Sequence, residues 1–157
     1  MKAVGNLFDR ISDRSNLITA VWAAAREKRH NNDVREFLGK IEQHVSQIAS
    51  SLINGRFEFQ RYTSFSVRDT KTRIIQAPTF RDRVVHHAMI NITGAIFERG
   101  ALHHSYACRT GKGQHAALMQ ARAWTRHHLW YGKMDIRRYY DSVDHEILQT
   151  TPATTIS

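Results

Sequence analysis

Three aspartates, Asp135, Asp141 and Asp144, fall within ten residues of a chain that is otherwise strongly basic. A carboxylate at the end of a strand, facing a polyanion, suits phosphoryl transfer assisted by a divalent cation. Mg²⁺ takes hard oxygen ligands and offsets the charge of a triphosphate. Asp135 follows the apolar stretch "LWYGKM" and has the placement for that work, although alone it also reads as a strand-end carboxylate facing solvent. Asp141 and Asp144 flank Ser142 and Val143 where a helix would start, which gives them the character of cap and first-turn acids.

Cations supply the complementary chemistry. Arg68, Lys71 and Arg73 lie in and beside the polar turn "RDTKT", opposed locally only by Asp69, and form a candidate anion grip. An arginine stays charged and offers phosphate oxygens a planar fork, whereas a lysine acts as a point charge. Arg109 and Lys112 sit in "SYACRTGKGQH", a glycine-punctuated basic loop without the G-x-x-x-x-G-K-S/T spacing of a P-loop. The pairs His86-His87, His103-His104 and His127-His128 invite a zinc reading, but adjacent helical residues point to different sides and do not readily share a tetrahedral ion. Cys108 is the only cysteine, which excludes a disulfide framework and a CxxC knuckle and suits a reducing compartment.

Composition points the same way. Lys and Arg number 23 against 14 acids, a formal net charge of +9, with a pI of about 10.2. That balance favours a polyanionic partner, nucleic acid before an anionic membrane. No apolar run approaches the roughly 20 residues of a spanning helix, and "MKAVGNLFDRISDRSN" lacks the apolar core of a signal peptide. The expectation is a cytoplasmic protein with no membrane partner. At 157 residues the chain is one domain's worth, or part of a larger one.

The elements that must hold these residues are legible as periods. Leu17, Ala20, Val21 and Ala24 predict an amphipathic helix over 16–29, capped by Ser15 or Asn16. Val34, Phe37, Leu38, Ile41, Val45, Ile48 and Leu52 predict a second, capped by Asn32 or Asp33 and stopped at Asn54-Gly55. The alternation of "TSFSV" and the β-branched "RIIQA" predict a β-hairpin over 61–77. Thr79 and Asp82 fit a capping box that opens a long helix through Val84, Val85, Ala88, Met89, Ile92, Ala95 and Ile96. Ala117, Leu118, Ala121 and Trp124 start another, and "LWYGKMDI" reads as a short buried strand. Trp22, Trp124 and Trp130 are expected in the core, as each lies at or beside an apolar periodic position.

Three blocks in this order, "RIIQAPTFRDRVVHHAMINITGAIFE", "SYACRTGKGQHAAL" and "GKMDIRRYYDSVDHEIL", resemble the fingers and early palm of bacterial reverse transcriptases of the group II intron-like lineage. The likeness is greatest to those of diversity-generating retroelements and covers roughly residues 6–148. It implies an RNA-directed DNA polymerase that uses Mg²⁺ (or Mn²⁺) and works on an RNA template, a primer and dNTPs. By the resemblance, Asp135 matches the first metal-binding aspartate, with the backbone carbonyl of Ile136 as a second contact. Tyr140 matches the aromatic steric gate under the incoming sugar. Lys71 and Arg73 match the residues that hold the triphosphate, and Arg109, Lys112 and Gln114 lie in the template-contacting block.

The family's Tyr-x-Asp-Asp box and thumb have no counterpart here, and no Asp-Asp pair occurs anywhere in the chain. The expectation is therefore an α/β (α+β), mostly helical chain. It would comprise an N-terminal helical support (1–55), fingers (56–128), the start of a palm (129–148) and a frayed or truncated tail (149–157). Such a chain would be inactive alone, and its unfinished palm edge would favour self-association. Two other readings remain at this level: a non-catalytic RNA-binding module, and a partner subunit of a complete polymerase.

Overall fold

The computed structural model describes residues 5–68, 71–137, 139 and 142–148; the expectations for Asp69, Tyr140, Asp141 and the tail from residue 149 lie outside them. Eight elements follow in order: α1 (Leu7–Ser12), α2 (Arg14–Ala25), α3 (Asn32–Gly39), α4 (Ile41–Ile53), β1 (Thr63–Arg68), β2 (Thr72–Ala77), α5 (Phe80–Gly100) and α6 (Gln114–Thr125). The described residues divide into two compact units, Asn6–Ile96 and those from Phe97 onward.

In the first unit the apolar stripes of four helices meet. Leu17, Ala20, Val21, Ala24 and Ala25 of α2 pack with Val34 and Phe37 of α3, Val45 and Ile48 of α4, and Phe80, Val84, Val85 and Ala88 of α5. The cap of α2 is Asp13, two residues before Ser15 and three before Asn16: its carboxylate accepts from the Ser15 hydroxyl and from the backbone N–H of Ser15 at 2.9 Å and of Asn16 at 3.3 Å. These bonds stabilise the ionised form and hold the Asp13 carboxyl below its usual pKa. Freed from capping, Asn16 donates to the carbonyls of Ile11 (3.1 Å) and Ala88 (3.0 Å) and accepts from Asn91 (3.1 Å), tying α2 to α5.

The single helix expected across residues 34–52 is two. Lys40 leaves the helical region at φ −129°, ψ 36°, directly after Gly39, a residue that pays more backbone entropy in a helix than any other. The apolar period runs through the break, so both halves bury their faces in one core. Asn54-Gly55 stops α4 as expected, by a Schellman motif. Arg56 N–H donates to Ser51 (2.8 Å) and Gly55 N–H to Leu52 (3.0 Å), with Gly55 at φ 64°, where a Cβ would be strained.

Trp22 departs from its expected core position. It lies off the Leu17–Ala20–Val21–Ala24 stripe, is 47% exposed, and carries Arg29 over its ring at 5.2 Å. The β-hairpin forms where period two put it, antiparallel in the register Thr63↔Ala77 to Arg68↔Thr72. Its apolar side chains remain open, Ile74 at 77% exposure.

The second unit holds the end of α5, the loop after it, α6 and the segment to residue 148. None of the α6 side chains is buried, so Trp124 is not a core residue. Neither is Trp130, in the segment expected as a buried strand. Residues 129–136 carry no ladder among the described residues, and Trp130 is 90% and Met134 95% exposed. Strand burial requires a neighbouring strand to accept the backbone groups and cover a face. The sheet of the described residues has only β1 and β2.

Candidate nucleic-acid interface

The hairpin presents the first set of cations. Lys71 is exposed at the turn, and Arg73 pairs with Val67 across the ladder. Directly paired residues share a face, so Arg73 lies on the same side as Phe65 and Ile75. Among the described residues no acid comes within ion-pairing distance of Lys71 or Arg73. Among the described residues nothing competes with an external anion for either charge.

What holds the hairpin is the first turn of α5. Thr79 Oγ1 accepts from Asp82 N–H at 3.3 Å, which is half of the expected capping box. The other half is redirected. The Asp82 carboxylate accepts from the backbone N–H of Gln60 at 2.8 Å, three residues ahead of β1. Arg81 donates to the Glu58 carbonyl at 3.1 Å and lies over the Phe57 ring at 4.1 Å, while Phe59 stacks on His86 at 5.4 Å. Asp82 is almost wholly buried; its second oxygen has no hydrogen bond and faces Arg81 at 3.8 Å. Sequence spacing found Asp82 as a cap and missed it as the anchor of the hairpin's entry strand, because Gln60 lies 22 residues away.

In the second unit the basic loop is organised around Arg109. Its Nε donates to both Glu98 oxygens (2.8 and 3.0 Å), its second terminal nitrogen lies 2.6 Å from Glu98, and Nη1 donates to the carbonyls of Leu102 (2.6 Å) and Ser105 (3.0 Å). The side chain is 12% exposed. The guanidinium is thus bonded within the loop, in the block that the resemblance gives to template contact. Lys112 donates to the His103 carbonyl and sits over the Tyr106 ring at 5.4 Å. Gly113 N–H closes the loop onto Tyr106 O at 3.1 Å, and Gln114, the first residue of α6, is exposed. Around them is an aromatic group: His104 meets His103 at 4.8 Å and Trp124 at 4.7 Å, and its Nδ1 is 3.1 Å from the Tyr106 hydroxyl.

Hydrogen bonding from Arg109 holds the Glu98 carboxyl below its usual pKa, and Glu98 in turn raises that of Arg109. A depressed carboxyl pKa contributes order that is complete above the unfolded value and is lost as pH falls through the folded one. Acidification below the ordinary glutamate range is therefore expected to loosen the loop, read as a change in Trp124 fluorescence. Glu98→Gln should remove that transition; a transition that survives it would assign the acid sensitivity elsewhere.

Asp135 is exposed on the unpaired 129–136 segment, with Ile136 beside it. Asp144 caps the turn that follows, accepting from Glu146 N–H (2.9 Å) and Ile147 N–H (3.1 Å). Among the described residues no three His, Cys, Asp or Glu side chains converge. They do not by themselves make a two-metal site, which needs acids clamping ions about 3.5–4 Å apart. Nor is any helix among them long and apolar enough to cross a membrane.

No family model matches the chain. Over 78 residues, 48% of the chain, it is 32% identical to "Nuclear intron maturase 1, mitochondrial" of Arabidopsis thaliana. The chain spans 11% of that protein. The relationship to a maturase is distant and partial.

Proposed function

We propose that this chain is the amino-terminal, nucleic-acid-gripping part of an RNA-directed DNA polymerase of the reverse-transcriptase kind, inactive by itself. The observation that carries the reading is the hairpin. It is an exposed ladder anchored at its base by Asp82 and Arg81, with Lys71 and Arg73 unpaired among the described residues. The partial maturase likeness and the three ordered motifs support it. In this reading Lys71 and Arg73 hold a triphosphate or backbone phosphate, Lys112 and Gln114 lie along the template, and Arg109 keeps their loop in shape. Tyr140 lies under the incoming sugar. Asp135 would be one carboxylate ligand of a Mg²⁺ ion.

The chain is expected to bind single-stranded RNA with an affinity that falls as salt rises. Arg73→Ala should reduce the slope of log affinity against log salt by about 0.7, the value of one phosphate contact on a single strand. Fluorescence anisotropy over a salt series reads both quantities. Salt-independent binding, or none, would remove the proposal. The second reading is a non-catalytic RNA-binding module that keeps the same cationic surface. It shares the binding result and differs only in requiring no polymerase activity of any longer form.

A further inference from the structure

The first unit contains a cleft of about 720 Å³ that the hairpin tip does not form. Lys28, from the turn after α2, and Arg83, from the first turns of α5, both line it, together with Asn31, Gln60, Thr63 and Phe65. Lys28 and Arg83 are half-buried. Asp33 and Glu36 also line the cleft, yet no acid among the described residues comes within ion-pairing distance of either cation. Two partly desolvated cations from separate elements, with no acid among the described residues as counter-ion, are available to a bound anion.

We propose that this cleft seats one nucleotide of a single-stranded RNA, its phosphodiester on Lys28 and Arg83. The volume lies within the 300–1,000 Å³ range of small-ligand sites. A bare phosphate would use only the cations. A nucleotide also uses an exposed aromatic face at Phe65, the amides of Asn31 and Gln60, and carboxylates able to accept from a base's amino group. This mixture of cations, acids and an aromatic ring is ill-suited to an anionic lipid surface, which would meet the acids with repulsion. His87 does not line the cleft but feels both of its cations: burial first, then Arg83, His86 and Lys28, hold its pKa below the usual imidazole value.

The inference rests on the nucleic-acid reading above and is tested so that the two can fail separately. Binding of a labelled single-stranded RNA is measured by anisotropy for the unaltered chain, for Arg73→Gln, and for Lys28→Gln/Arg83→Gln. The double variant is expected to bind roughly tenfold more weakly with a salt slope lower by about 0.7, the one single-strand phosphate contact that the two cations share. In the unaltered chain, RNA should raise the pKa of His87, followed by the NMR shift of its ring protons. That measurement decides the matter even where the double variant does not fold. If Arg73→Gln weakens binding while the double variant binds as the unaltered chain and His87 does not move, the cleft site is wrong and the hairpin reading stands. If the unaltered chain binds no RNA, both fall. If inorganic phosphate at matched ionic strength shifts His87 as far as RNA does, the site is a simple anion site and the nucleotide assignment is overturned.

Discussion

Primer extension by a polymerase that carries this segment is expected to fall by about a thousandfold when Asp135 is replaced by Ala. Metal-ion catalysis stabilises transition-state charge by several kcal/mol, and each 1.4 kcal/mol is a factor of about ten in rate. The structure makes the result interpretable. Asp135 is exposed on a segment with no ladder, so its removal takes away no buried contact. Substitutions at such positions change stability by no more than about 0.5 kcal/mol. A thousandfold loss with an unchanged unfolding midpoint would therefore be chemical in origin. Undiminished extension by the Asp135→Ala protein would end the metal assignment and leave the RNA-binding module as the surviving reading.

How far the sequence could be read depended on whether an element's partners were local. The hairpin was legible because "TSFSV" and "RIIQA" alternate about a polar turn, and its ladder pairs residues only a few positions apart. The long helix from Phe80 was legible from Thr79 and Asp82, which share one turn. The break at Lys40 was hidden because the apolar period continues through it, and a one-residue change of φ and ψ leaves no trace in hydrophobicity. Residues 129–136 were read as buried because they are apolar, but burial depends on a covering partner that a local pattern does not encode. In the same way, Arg109 announces a cation and says nothing of Glu98, eleven residues earlier, which takes up its charge. Candidate site residues were thus identifiable by type. Whether each was free or already paired was not.

Asp82 carries the second large effect, on stability and on the hairpin together. Its carboxylate receives the Gln60 N–H inside the unit, with Asp82 1% exposed. Asp82→Ala leaves that amide without its acceptor and opens space beside it. A buried donor stripped of its partner costs about 1–3 kcal/mol, a sizeable part of the roughly 5–15 kcal/mol that holds a domain folded. Asp82→Asn retains an oxygen for Gln60 and removes a buried charge whose second oxygen has no hydrogen bond. It is expected to cost less than Asp82→Ala, since the Gln60 hydrogen bond survives and only the charge facing Arg81 at 3.8 Å is lost. Urea unfolding of the three proteins orders them, and amide exchange at Gln60 locates the effect. Gln60 lies just ahead of β1, and the hairpin is exposed on both faces, so its orientation depends on this anchor more than on packing. Asp82→Ala should consequently lower the salt slope of RNA binding as well, by the contribution of Arg73. Equal stability of the Ala and Asn variants would show that the Gln60 hydrogen bond does not position the hairpin.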